Sequence, residues 1–343
     1  MTGLALAGGG VRGAYQIGVY LALKKCHIKI DGFVGTSIGA FNAAMLAAGR
    51  DRELLKFWQN VDVGMILGLS DKLIAELKEN KLDYGLIKEG FNSFKQILIN
   101  KGLSTDKMQT LLRELNIAET LYKSKKDFGL VTVRFGDLKP LYLFKNDIPP
   151  ARLNDYILAS CYLPIFKMEK IIDNNYYLDG GFYDNVPANA LLNKGYNKVY
   201  AVDLEAIGIK RPYLDKKKIV EIKPSRKLGS ILNYNLEKIQ DNIKLGYYDA
   251  LKIVKNYDGY KFIFKVRGNW YYKWLIRNVS KTTLKEMQRF FRTKDNKKLV
   301  IKALEYVMRQ EEFNYFEVYS PYKVIRKIQG RKKYGVYRFI NQL

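Results

Sequence analysis

The chain has 343 residues, 48% of them apolar, enough for one large domain or for a large domain with a smaller attachment. Two unpaired cysteines, Cys26 and Cys161, and a single histidine, His27, argue against a disulfide framework, a thiolate metal site or a histidine metal cluster; no metal or organic cofactor is expected. The net charge of +25 is uneven: residues 1–200 carry 26 Lys/Arg against 20 Asp/Glu, and residues 201–343 carry 33 against 14, a field that favours nucleic acid, an anionic membrane surface or an acidic protein.

Residues 3–7 read as a short apolar strand, followed by GGGVRG (8–13) and an apolar helix over 14–23. IKIDGFVG (28–35) reads as a second strand and IGAFNAAMLAA (38–48) as a buried helix of small residues. Two successive strand–turn–helix units imply parallel strands, with the turns gathered at their C-terminal edge where ligands bind in open α/β sheets. Residues 51–125 read as mainly helical. Within them VDVGMILGLSDKLIAEL and the stretch around Phe91–Leu98 are apolar and punctuated by glycine, as a mobile cover or as ordinary helical packing. GLVTVRF (129–135) and PLYLF (140–144) alternate as the strands of a hairpin. LNDYILASCYLPIF (153–166) reads as a helix running into Pro164, YYLDGG (176–181) as a strand ending in a turn, and NKVYAVDL (197–204) as a buried strand. From about Gly268 the composition shifts to long basic and aromatic helices and a basic tail, GRKKYGVYRF. The apolar pattern starts at Leu4, which leaves no room for a secretory leader, and no apolar run approaches 18 residues. The expected compartment is therefore the cytoplasm, with peripheral contact at a membrane.

Gly8, Gly10 and Gly13 satisfy G-x-G-x-x-G, the spelling of a dinucleotide-binding turn. That reading requires an acidic residue about 20 positions on, at the C-terminal end of the second strand. Here the strand ends in Gly35-Thr36-Ser37, and the nearby carboxylate, Asp31, sits toward its other end. Gly35-Thr36-Ser37-Ile38-Gly39 is instead a G-x-S-x-G nucleophile elbow between a predicted strand and a predicted helix, with Gly35 and Gly39 sparing the turn from collisions. The helix dipole favours negative charge developing at Ser37. Side-chain-free glycines beside it would aim backbone N–H groups at an oxyanion. Gly8, Gly9, Gly10, Val11, Arg12 and Gly13 are the expected hole, with Arg12 adding charge at its rim.

A serine nucleophile needs a base. His27 precedes the strand whose far end presents Ser37, and eight strand residues span roughly 25 Å. No hydrogen bond crosses that distance. The base is therefore a carboxylate or a lysine. Asp179, in LDGGFYDNVP, is the best-placed carboxylate, with Asp184 as its rival, although Asn185 and Pro187 favour a turn-forming role for Asp184.

GGGVRG (8–13), GTSIG (35–39) and DGG (179–181) together resemble the patatin-like phospholipase family, in the family's order and approximate spacing. ASCYLPIF (159–166), DNVP (184–187) and LGYYDA (245–250) add to the resemblance, which covers about residues 3–255. It implies a three-layer α/β/α fold with a mainly parallel sheet and a Ser37–Asp179 dyad without histidine. The implied activity is hydrolysis of acyl esters of membrane lipids, of phospholipase A or lysophospholipase type. A patatin-like hydrolase domain is thus expected over 1–255 and a basic, aromatic helical extension over 256–343. A thioesterase or neutral-lipid lipase on the same dyad is an alternative, and a nucleic-acid-binding protein is another. The C-terminal aromatics, Trp270 and Trp274 among them, suit either a membrane–water interface or the core of a helical appendage.

Overall fold

A computed structural model describes residues 1–61, 103–229 and 235–343. The glycine-punctuated stretches after Val61 and around Phe91–Leu98 lie outside the described residues. The chain divides into two compact units, Met1–Tyr247 and Tyr248–Leu343, earlier than the expected boundary at residue 255.

The first unit is built on a seven-stranded sheet. Its strands are β1 (Thr2–Leu6), β2 (Gly32–Thr36), β3 (Asp127–Arg134), β4 (Lys139–Phe144), β5 (Tyr177–Asp179), β6 (Lys198–Val202) and β7 (Ile219–Ile222). The order is β4-β3-β2-β1-β6-β7, with β5 also paired to β3. β3, β2, β1, β6 and β7 run parallel, and β4 and β5 are antiparallel to β3. The helices in chain order are α1 (Ala14–Lys25), α2 (Ile38–Ala47), α3 (Asp51–Asn60), α4 (Asp106–Leu115), α5 (Ile117–Lys123), α6 (Leu153–Ser160), α7 (Ala188–Asn193) and α8 (Leu236–Val254), whose residues from Tyr248 on fall in the second unit. This is the mainly parallel α/β/α architecture expected from the sequence.

Strand β2 starts at Gly32, later than its apolar run suggests, and α6 ends at Ser160, well short of Phe166. The latter follows from Pro164, which disfavours helical geometry at the residue before it. Helices α1 and α2 are apolar around most of their circumference, and nine residues of each are buried, as such helices must be.

Helix α1 meets the first part of α8 backbone to backbone. A Cβ on Gly18 would lie 1.9 Å from the carbonyl oxygen of Ile243, and one on Gly246 would lie 2.0 Å from that of Tyr15. Gly246 belongs to the LGYYDA motif, so part of that motif is a packing contact.

The second unit pairs two short parallel strands, β8 (Ile263–Phe264) and β9 (Val318–Tyr319), with helices α9 (Asn269–Leu275), α10 (Lys281–Phe290), α11 (Asn296–Gln310), α12 (Pro321–Ile328) and α13 (Gly335–Asn341). Phe262, Phe264, Tyr272, Leu304, Met308 and Phe339 are among the residues of its own core. The buried Glu305 carboxylate accepts from the N–H groups of Tyr260, Lys261 and Phe262 at 2.5, 3.0 and 3.1 Å, fixing the turn that enters β8. The helix expected from NWYYKWLIRNV is only seven residues long before it tightens into a 3-10 turn. The expected basic tail instead folds in part as α13, because Val336, Tyr337, Phe339 and Ile340 share one buried face.

In a loosely packed helix, replacing Gly18 by Ala would stabilise the chain by about 1 kcal/mol. At this crossing Gly18→Ala and Gly246→Ala should each destabilise it, by about 2 kcal/mol or more in urea titration, because the backbones must move apart. Gly136→Ala, where an added methyl meets nothing within 4 Å, should change stability by less than about 0.5 kcal/mol.

Candidate active site

Strand β3 brings the two expected catalytic residues together. Thr36, the last residue of β2, pairs with Val131 of β3. Asp179, the last residue of β5, pairs with Thr132, the next residue along β3. The two strands run in opposite directions and so meet end to end on one template. Ser37 and Asp179 leave them at adjacent rungs.

Ser37 sits in the elbow with φ 56° and ψ −131°, outside the allowed regions for most side chains, at the N-terminus of α2. The turn is tight enough that a Cβ at Gly35 would lie 2.1 Å from the Gly39 carbonyl oxygen, and one at Gly39 would lie 2.2 Å from that of Leu6. Three contacts hold the strained residue. The Ser37 N–H donates to Ser160 Oγ at 3.0 Å, the Ser160 hydroxyl donates to the Val131 carbonyl at 2.6 Å, and the Thr36 hydroxyl donates to the Asp184 carbonyl at 2.7 Å.

Asp179 is buried, 3% exposed. Its Oδ1 accepts from the Gly181 N–H at 2.7 Å, its own N–H donates to the Tyr162 carbonyl at 2.8 Å, and Oδ2 has no hydrogen-bond partner among the described residues. Burial pushes its pKa up to about 6; the Ser37 hydroxyl and the Gly181 N–H oppose the rise without cancelling it. Cys161 lies beside both residues, and burial followed by the Asp179 charge raises its thiol pKa.

The rival, Asp184, faces elsewhere. Its Oδ2 accepts from the Tyr142 hydroxyl at 2.9 Å and Oδ1 from the Val186 N–H at 3.3 Å, which is the turn-forming role. His27 is exposed in the turn after α1, at the end of β2 remote from Ser37.

The glycine loop passes over Ser37, close enough that a Cβ on Gly8 would sit 3.1 Å from that of Ser37. Three of the six residues expected to form the oxyanion hole are committed elsewhere. The Gly8 N–H donates to the Asn185 carbonyl at 3.2 Å. The Arg12 N–H donates to the Gly9 carbonyl, and its guanidinium donates to the carbonyls of Gly229 at 2.8 Å and Glu205 at 3.1 Å, so Arg12 staples the loop instead of charging its rim. Gly13 faces Ile38 and Trp58 and lies in a short 3-10 turn, Gly10–Gly13. Gly9, Gly10 and Val11 remain. They begin that turn, Gly10 at φ 56°, and their N–H groups enter none of the backbone hydrogen bonds among the described residues, as the first donors of a helix do not.

A buried polar network that sequence reasoning missed anchors both ends of this loop. Gln16 Nε2 donates to the Ala7 carbonyl at 2.7 Å. Asn42 Nδ2 donates to the Gly13 carbonyl at 3.0 Å and to Gln16 Oε1 at 2.8 Å, and Trp58 Nε1 donates to Asn42 Oδ1 at 3.0 Å. The available signal was a lone amide inside each of two otherwise apolar helices.

Gly9, Gly10, Val11, Ser37 and Asp179 line one cavity of about 510 Å³. The remainder of its wall is mostly apolar, including Phe41, Trp58, Met108, Leu112 and Phe166. Among the described lining residues Asp179 and Cys161 are the only titratable groups.

The patatin-like phospholipase family model matches residues 4–192, more than half of the chain. The chain belongs to that family. It is 25% identical over 224 residues to lysophospholipase NTE1 of Meyerozyma guilliermondii, covering 62% of this chain. It is 26% identical over 221 residues to patatin-like phospholipase domain-containing protein 7 of Rattus norvegicus, covering 59% of this chain. The chain spans only 13% of the length of each of these relatives. Among solved structures, VipD from Legionella pneumophila aligns over 99% of this chain and 83% of its own, at 13% identity and a TM-score of 0.49.

The buried carboxylate carries a stability cost with a defined sign. An aspartate ionises near 3.8 when unperturbed and at about 6 here, so the native state is disfavoured once the group is ionised. The cost is absent below pH 3.8, grows between 3.8 and 6, and is complete above 6. Asp179→Asn should therefore raise the unfolding free energy at pH 7.5, on the order of 2–3 kcal/mol, with no gain at pH 3.5. A loss of stability at pH 7.5 would contradict the raised pKa.

Proposed function

We propose that the chain is a serine acyl hydrolase of lipid esters, of phospholipase A or lysophospholipase type, working through Ser37 and Asp179. The observation that carries the reading is the shared cavity: an elbow serine, a desolvated carboxylate and uncommitted backbone N–H groups open into one apolar space. A preformed apolar pocket with a few convergent polar groups suits an acyl chain ending in an ester. Membership of the patatin-like phospholipase family supports the same substrate class.

In the proposed cycle Asp179 accepts the Ser37 proton as the serine oxygen attacks the ester carbonyl. The tetrahedral intermediate places its oxyanion against the N–H groups of Gly9, Gly10 and Val11, at the start of a helical turn. Collapse breaks the ester bond, and the proton on Asp179 passes to the departing alcohol. Asp179 then takes a proton from the water that attacks the acyl-enzyme; the second tetrahedral intermediate collapses, the fatty acid departs, and the proton returns from Asp179 to Ser37 Oγ. A carboxylate of ordinary pKa would be a feeble base. Desolvation brings Asp179 closer to the working pH and makes it a better proton acceptor.

Fatty-acid release from phospholipid–detergent mixed micelles, followed by mass spectrometry, tests the reading. Ser37→Ala and Asp179→Asn should each lower kcat/KM by about 10³-fold or more. Because the base must be ionised, wild-type kcat/KM should rise with pH on an acid limb with a midpoint near 6. Turnover retained in either variant, or an acid limb near 4, would contradict the mechanism.

A further inference from the structure

The second unit presents aromatic and cationic side chains on the outer side of α9. On α9, Tyr272 and Leu275 point into the core, whereas Trp270 and Trp274, four residues apart and hence on one side of the helix, are 72% and 47% exposed. Tyr271, half-buried and packed in part against the core, adjoins both indoles, with ring centroids 6.2 Å from Trp270 and 6.4 Å from Trp274. Val266 beside them is also exposed. Tyr322 of α12, near enough to Tyr271 to interact with it electrostatically, is exposed too.

Cations frame this surface. The Arg277 guanidinium lies 4.2 Å from the Trp274 ring centroid and that of Arg267 5.8 Å from Tyr271, while Arg326 donates to the Tyr322 hydroxyl at 3.2 Å. None of Arg267, Lys273, Arg277 and Arg326 forms a salt bridge with a carboxylate among the described residues. Elsewhere on the unit Lys297, Arg331, Lys332 and Arg338 each have an Asp or Glu within 4.0 Å.

We propose that the outer face of α9, with Tyr322 and Arg326 of α12, docks this protein on the interface of an anionic phospholipid bilayer. Indole rings favour the headgroup boundary, where the ring is shielded and the N–H stays wet. Arginine can hold phosphate while its stem lies along the rings. Each cation near an anionic surface adds an attraction that is lost as salt screens it. Single-stranded nucleic acid also combines stacking with phosphate contacts, but it is usually held in a basic groove, and Trp270 and Trp274 instead lie on one exposed side of α9. The contact is peripheral, since no described helix is long and apolar enough to cross a membrane. The choice of lipid over nucleic acid rests on the acyl-hydrolase reading above.

The test uses full-length Ser37→Ala protein, which leaves the lipid intact. Its binding is measured to vesicles of phosphatidylcholine alone, to phosphatidylcholine with phosphatidylserine, and to a single-stranded oligonucleotide. Binding should require phosphatidylserine, weaken with salt, and be accompanied by quenching of tryptophan fluorescence by brominated acyl chains. Trp270→Ala/Trp274→Ala and Arg267→Gln/Arg277→Gln should each weaken it by about tenfold or more. Tyr334→Ala, 70% exposed elsewhere on the unit, should leave it unchanged. Vesicle binding indifferent to both double variants, or binding to the oligonucleotide without binding to vesicles, overturns the proposal. Neither result touches the hydrolase reading, which is measured separately on micellar substrate with wild-type enzyme.

Discussion

Strand β3 is the constraint on which the candidate site depends. It offers one edge to two strands that arrive from opposite directions, and it stops each at a neighbouring rung: Thr36 opposite Val131, Asp179 opposite Thr132. The serine and the carboxylate are 142 positions apart in sequence, yet two consecutive residues of a third strand fix their separation. A sheet register cannot slip by one residue without turning every side chain to the other face. The proximity of the pair is therefore as secure as the core beneath it. The surrounding polar contacts sharpen this placement. Thr132 Oγ1 lies 2.9 and 3.0 Å from the carbonyls of Ala159 and Leu178, and Ser160 ties the elbow N–H to Val131.

Local strain and desolvation share a location. Ser37 holds a backbone conformation that costs on the order of 1–3 kcal/mol, and Asp179 holds a charge with little solvent and an oxygen without a hydrogen-bond partner among the described residues. Neither feature serves the fold. Both serve the proposed chemistry, because the first lifts a hydroxyl into the cavity and the second makes a carboxylate basic. The surrounding helices are what tolerate the cost: nine residues each of α1 and α2 are buried, and their buried amides, Gln16 and Asn42, are spent on anchoring the glycine loop.

Much of this was legible in the sequence. The apolar runs located six of the sheet strands, β1 to β6, but not the short edge strand β7; the G-x-S-x-G between a strand and a helix located the elbow, and the remoteness of His27 turned the search toward carboxylates. What escaped was set by contacts distant in sequence. The N–H of Gly8 is taken by the carbonyl of Asn185, and the guanidinium of Arg12 by the carbonyls of Glu205 and Gly229. Of the six residues, Gly9, Gly10 and Val11 keep backbone N–H groups outside these contacts, and they are the donors proposed for the oxyanion. The Gln16–Asn42–Trp58 network was equally invisible, because an amide in an apolar helix declares no partner. Among the C-terminal aromatics composition could not separate Tyr272 from Trp270. One is core and the other surface, a difference of helical phase that only the packed unit resolves.

The central claim is that Asp179, without any histidine, activates Ser37 as a nucleophile. Reaction of the intact protein with an activated fluorophosphonate, followed by peptide mapping, tests it most directly. The expected result is a single stoichiometric adduct on Ser37, formed faster as pH rises through about 6 and strongly slowed in Asp179→Asn. An adduct on another residue, or labelling of Ser37 at the same rate without the carboxylate, would contradict it.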